Sequence, residues 1–147
     1  MKILIMSDSH GMTEKAEEII LTEKPDLLLH LGDYTRDLDI LTERHPELEA
    51  HSVKGNCDLR GGTPELLMLR ADGMELLLTH GHRQGVKDGL QRLYYTALEK
   101  GDDTVLFGHT HAPFLQVRDG LTLLNPGAAA DGRYAVIEDG RAELRRI

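Results

Sequence analysis

Five short apolar runs in this chain stop at polar clusters of one chemical kind. Lys2–Met6 runs into Ser7-Asp8-Ser9-His10-Gly11, Leu27–Leu31 into Gly32-Asp33, and Glu49–Val53 into Gly55-Asn56-Cys57-Asp58. Met74–Thr79 runs into His80-Gly81-His82, and Thr104–Phe107 into Gly108-His109-Thr110-His111. Short runs bounded by Gly and turn residues read as buried strands. In open α/β sheets, ligand sites form outside the carboxyl ends of strands. Five strand ends therefore carry Asp8, His10, Asp33, Asn56, His80, His109 and His111 toward one edge.

The intervening segments set the fold class. Thr13–Glu23 places Ala16, Ile19 and Ile20 at helical spacing and stops before Pro25. Asp37–Arg44 reads as a second helix, broken at His45-Pro46. Asp88–Lys100 reads as a third, with Leu90, Leu93, Tyr94, Ala97 and Leu98 on one side and Gly101 as its cap. The β-α-β-α-β opening favours a parallel sheet. The second half is rich in hairpins, turning at Asp72-Gly73, Asp119-Gly120 and Asp139-Gly140. Its further strands are Leu66–Arg70, Phe114–Val117, Thr122–Leu124, Tyr134–Ile137 and Ala142–Arg145. The expectation is an α/β fold of two mixed sheets packed face to face with helices outside. Its 147 residues suit one domain over 1–147.

Composition narrows the partners. Lys and Arg total 17 against 25 Asp and Glu, for a net charge of −8. Such a surface does not draw in DNA, RNA or an anionic membrane through its overall field. No stable nucleic-acid complex and no membrane partner are expected. One cysteine, Cys57, permits no internal disulfide and suits a reducing compartment. The first apolar run is too short for a signal-peptide core, and no run reaches a membrane span. The cytoplasm is the expected location. Exposed hairpin edges leave a homo-oligomer open.

Each cluster alone has a plain structural reading. Asp8 can bond its own backbone in a turn. Gly32-Asp33 and Gly55-Asn56 are ordinary turn pairs, and a lone His80 or His82 is more often a surface or core histidine. Jointly, five clusters at successive strand ends point to a metal site. Carboxylate, imidazole and amide oxygen suit Mn, Fe, Zn, Ni or Co. Two divalent ions, about +4, against two carboxylates, about −2, leave the site near +2. That local charge attracts phosphate even on an acidic protein, and paired metals suit in-line displacement at phosphorus.

The set Asp8-Ser9-His10, Gly32-Asp33, Gly55-Asn56-Cys57-Asp58, His80-Gly81-His82 and Gly108-His109-Thr110-His111 resembles the calcineurin-like metallophosphoesterases. It is similar to their small bacterial and archaeal phosphodiesterase branch. The resemblance spans the chain and implies a four-layer αββα sandwich. It implies that Asp8, His10 and His111 hold one metal, that Asn56, His80 and His109 hold the other, and that Asp33 bridges both. The implied cofactor is two divalent metal ions, with Mn favoured and Ni, Fe, Zn or Mg as alternatives. The resemblance further implies attack on phosphorus by a bridging hydroxide, with Asn56 and His82 in catalytic and substrate-binding roles. The expected substrate is a small or nucleotide-like phosphate ester.

Two positions depart from the family pattern. Many members have His where this chain has Cys57, and a thiol cannot replace that leaving-group acid in the same way. Cys57 reads either as a small, partly buried filler or as a substrate contact. Asn125-Pro126-Gly127 continues with Ala128, where the branch often has Ser. Among the other histidines, His30 is expected to pack or bond locally in its strand, His45 to lie in a loop and His51 in a strand. Arg36 and Arg133 read as solvated surface before phosphate ligands. Competing functions are a nuclease or phosphatase of the same superfamily, or a non-catalytic scaffold like the retromer subunit of this fold.

Overall fold

A computed structural model describes residues 1–58 and 62–147. Strands β1 (Lys2–Met6), β2 (Leu27–His30) and β3 (Glu49–Ser52) alternate with helices α1 (Thr13–Glu23) and α2 (Arg36–Arg44). A hairpin of β4 (Leu66–Ala71) and β5 (Met74–Thr79) follows, then α3 (Gln91–Lys100) and β6 (Thr104–Leu106). The chain ends with two more hairpins, β7 (Phe114–Arg118) with β8 (Leu121–Asn125), and β9 (Arg133–Glu138) with β10 (Arg141–Arg146).

These strands make two mixed five-stranded sheets, in the orders β10-β9-β1-β2-β3 and β4-β5-β6-β8-β7. In the first, β1, β2 and β3 run parallel, with β9 antiparallel to β1. In the second, β5, β6 and β8 run parallel, flanked by antiparallel β4 and β7.

Side chains alternate across a strand, so each strand feeds two layers. Ile3 and Ile5 of β1 face the second sheet, where they meet Leu76, Leu78, Leu106 and Leu124. Leu4 and Met6 face outward onto Ala16, Ile19 and Ile20 of α1 and Leu38 and Leu41 of α2. On the far side, Leu77, Val105 and Leu123 face outward onto Leu93, Tyr94 and Ala97 of α3. The result is the expected αββα sandwich with an aliphatic centre. Among the described residues, no helix is long and apolar enough to cross a membrane.

The sequence reading set α3 three residues too early. Gly89 sits at φ +143, outside the range of a helix, so regular structure begins only at Gln91. Strands β2, β3 and β6 each stop one residue earlier than expected. Their last apolar residues, Leu31, Val53 and Phe107, remain fully buried at the start of the loops.

Candidate metal centre

The carboxyl ends of β1, β2, β3, β5 and β6 carry the predicted clusters. Asp8, His10, Asp33 and His111 offer ligand atoms that all lie within 4.8 Å of one another. His80 joins them, with Nε2 at 3.4 Å from Asp33 Oδ2 and 3.8 Å from Asp8 Oδ1. His109 adjoins His80, with Nδ1 at 3.2 Å from His80 Nε2. Asn56 lies on the neighbouring loop, exposed, with its amide 3.7 Å from Cys57 Sγ. Its hydrogen bonding does not reach the other six.

The chain reaches this arrangement through unusual backbone. Asp8, His10, Asp33, His109 and His111, five of the seven, have φ between +46° and +70°. Tyr34, next to Asp33, has φ +68. Non-glycine residues in this region cost about 1–3 kcal/mol each and persist only where surrounding contacts over-determine them. Those contacts are close. A Cβ on Gly55 would collide with the Asp33 carboxylate, and one on Gly108 with Ser7 Oγ and Asp8 Oδ2.

Asp8 tests whether the donor set fits a cation. Its Oδ2 accepts hydrogen bonds from Ser7 Oγ at 2.6 Å and from the His109 N–H at 3.2 Å. Its Oδ1 is fully buried and has no hydrogen-bond partner. That atom faces Nε2 of His111 at 3.3 Å, of His10 at 3.7 Å and of His80 at 3.8 Å. A buried, unpaired carboxylate oxygen is expensive unless a cation or donor completes it. His80 points the same way. Its Nδ1 lies 2.8 Å from the Leu31 carbonyl, which can only accept, so Nδ1 carries the proton. Nε2 of neutral His80 therefore turns a lone pair into the site, the usual arrangement for a histidine ligand. The residues present fit divalent cations.

Electrostatics divide the imidazoles. Burial would lower the His80 value, but the hydrogen bond to Asp33 and the Asp8 charge raise it overall. Burial, and the charge His80 carries when it is protonated, push His109 down. Burial raises the Asp33 carboxyl, yet His80 and the Cys57 N–H hold it well below the usual carboxylate range.

The remaining expected contacts are placed less centrally. The His82 ring stands 5.5 Å from that of His80 and 6.2 Å from that of His109, and its buried Nδ1 has no partner. Cys57 is exposed rather than a partly buried filler. It takes part through its N–H, which donates to Asp33 Oδ1 at 2.9 Å. Desolvation and the nearby Asp33 charge push its thiol up. Ala128 is buried, beside the Ala129 N–H that donates to the Ser7 carbonyl. The Arg36 guanidinium lies 5.0 Å from the centre of the Tyr34 ring, and that ring packs against His10 at 5.1 Å.

Several residues that hold the site were not singled out from sequence. Asp58, 8% exposed, accepts the N–H groups of Asp33, Thr35 and Gly55 at 2.8–2.9 Å, joining two ligand loops. Asn125 donates to the Gly108 carbonyl and to Thr110 Oγ1 and so braces the His109 loop. Their signal was present only as a polar residue inside a Gly-containing motif.

Comparison with known proteins points to one family. A profile for the calcineurin-like phosphoesterase superfamily domain matches residues 1–138. The chain is 41% identical over 131 residues to the probable metallophosphoesterase YsnB of Bacillus subtilis, covering 87% of this chain and 75% of that protein. It is 28% identical over 145 residues to a phosphodiesterase of Methanocaldococcus jannaschii, covering 86% and 83%. Zinc-complexed Vps29 from Entamoeba histolytica shares the fold, with TM-score 0.79 at 22% identity over 100% of this chain and 98% of that one. With its ligand-bearing strand ends and a matched profile over nearly its whole length, this chain belongs to the calcineurin-like phosphoesterase superfamily.

Proposed function

We propose that this protein is a metal-dependent phosphodiesterase acting on small or nucleotide-like phosphate esters at a dinuclear centre, with Mn favoured. The orphaned, buried Asp8 Oδ1, ringed by three imidazole nitrogens, carries this reading. Asp8, His10 and His111 would hold one ion, His80, His109 and Asn56 the other, and Asp33 both. Two divalent ions supply Lewis-acid charge for phosphate oxygens and a nucleophile drawn from water.

The chain's own residues do the rest. His80 and Asp33 hold the buried base of the site, and His10 and His111 form its more open side. Asn56 and His82 would contact the ester oxygens. Cys57 stands where many family members carry a histidine, and a thiol is the weaker acid, which favours esters whose leaving groups need little protonation. The lone cysteine fits a reducing compartment, so the cytoplasm is the working location.

The test is hydrolysis of bis(p-nitrophenyl) phosphate with added Mn²⁺ or Ni²⁺. Losing several kcal/mol of charge stabilisation through Asp33→Asn should cut kcat/KM about a thousandfold or more. Activity that survives both this change and a chelator would sink the proposal. Wild-type protein that neither retains a divalent ion nor turns over any ester would favour the scaffold reading.

A further inference from the structure

Asp8 and His10 point into the site, and the residue between them points away from it. Ser9 is fully buried, as is His30, and Asp37 is 2% exposed. Burying three such groups is unfavourable unless their hydrogen bonds are satisfied. They satisfy one another. Ser9 Oγ lies 2.9 Å from His30 Nε2 and 2.6 Å from Asp37 Oδ2. The Gly32 N–H donates to His30 Nδ1 at 3.2 Å, and the Gly11 N–H donates to Asp37 Oδ2 at 2.9 Å.

The direction of every proton in this chain follows. A backbone N–H can only donate, so His30 Nδ1 is bare and Nε2 carries the hydrogen. Nε2–H donates to Ser9 Oγ, and the Ser9 hydroxyl donates on to the Asp37 carboxylate. The chain starts at Gly32, one residue before Asp33, and ends on Asp37, which accepts from both residues that flank His10. A backbone bond from the Asp8 N–H to the Gly32 carbonyl at 3.0 Å runs beside it. Asp8, His10 and Asp33 all sit in the left-handed region, which an isolated loop would leave.

We infer that Ser9, His30 and Asp37 are positioning residues, a buried and directional chain that fixes the Asp8–His10 loop against the Asp33 loop so that both carboxylates stand ready for a cation. This inference rests on the reading of Asp8, His10 and Asp33 as metal ligands. It separates these three from residues that only stabilise the fold. Residues supporting a metal's ligands typically affect affinity or activity by about 10–100-fold when lost.

The experiment measures Mn²⁺ affinity by calorimetry and bis(p-nitrophenyl) phosphate turnover on wild type and four variants, each well below its melting temperature. Ser9→Ala and Asp37→Ala should weaken Mn²⁺ binding about 10–100-fold. Asp37→Asn keeps an accepting oxygen toward Ser9 and Gly11 and should stay near wild type. Tyr134→Phe breaks a buried bond elsewhere, to Glu23, and should lower the melting temperature without changing Mn²⁺ affinity. Folded Ser9→Ala and Asp37→Ala with wild-type affinity overturn the inference. So does an equal loss of affinity in Tyr134→Phe. Should the alanine variants not fold, nitrogen NMR of wild-type His30 decides: an Nε2–H tautomer supports the chain, and an Nδ1–H tautomer overturns it. Wild-type protein that binds no Mn²⁺ overturns the metal-site reading as well, whereas wild-type binding with indifferent variants overturns the positioning chain alone.

Discussion

Two buried networks in this protein solve the same problem in opposite ways. Beneath the end of α1, Glu23 accepts from the Tyr134 hydroxyl and Arg145 Nη1, each at 2.6 Å, and from Lys2 Nζ at 3.4 Å. Its charge is matched by two cationic side chains. Around the metal centre, Asp8, Asp33, Asp37 and Asp58 are all buried. Among the described residues, none of the four forms an ion pair with Lys or Arg. They rest on backbone N–H groups, hydroxyls and imidazoles. The chain pairs a buried carboxylate with Arg where it needs stability, and withholds Arg where charge would compete with a cation.

The comparison can be broken at either network. The largest effect is expected from Gly108→Ala, whose new methyl would push into Ser7 and Asp8. A displacement near 1 Å costs about a hundredfold in rate, so turnover should fall by that order while the Glu23 network is untouched. Wild-type kcat/KM in a folded Gly108→Ala protein would show that the Asp8 loop has slack. Next comes Glu23→Ala, which strands Tyr134 and Arg145. Hydrogen bonds to charged groups contribute about 1.5–3 kcal/mol, and partial exposure of Arg145 favours the lower end. Urea unfolding should register that loss, with turnover of the folded protein unchanged. Altered metal affinity in this variant would erase the distinction between the networks.

Acid should separate them with the smallest effect. Burial holds His30 below its ordinary value and outweighs the pull of Asp8, Asp37 and Asp58, while His80 adds to the lowering. A histidine kept neutral in the fold adds stability above its unfolded value, about 6.5, and loses it as pH falls toward the folded value. Burial pushes the Glu23 carboxyl up, but Tyr134 and Arg145 bring it below its ordinary value. Its stability is present above about 4.3 and is lost only as pH falls through the lower folded value. Urea midpoints should therefore begin to drop below about pH 6.5, and His30→Gln should flatten that first part of the curve. A midpoint that stays level down to pH 4.5 in wild type would contradict the assignment.

The parts of this molecule that sequence reveals are those governed by residue type at strand ends. Strand ends are readable because apolar runs stop abruptly, and Asp, His and Asn recur at five of them, which no single turn explains. The sandwich follows from β-α-β spacing and the Asp-Gly hairpins. Ser9, Asp37, Asp58 and Asn125 stayed hidden because their meaning lies in partners 15–28 residues away. His30 was expected to pack or bond locally; it does accept locally from the Gly32 N–H, and it also reaches across 21 residues to Ser9. The left-handed backbone at the ligand positions was also illegible. It goes with close packing of the loops, where Gly55 admits the Asp33 carboxylate and Gly108 admits Ser7 and Asp8.

The proposed ligand positions are shared between the two sheets, four to three. Asp8, His10, Asp33 and Asn56 follow strands of one sheet, and His80, His109 and His111 follow strands of the other. An ion held as proposed by both groups would rivet the two sheets along one seam. It would bind the folded chain in preference to the unfolded one, so melting temperature should track free metal. Each tenfold rise above the dissociation constant adds about 1.4 kcal/mol. Metal scarcity would then loosen the whole sandwich at that seam, and slow turnover would be accompanied by faster proteolysis.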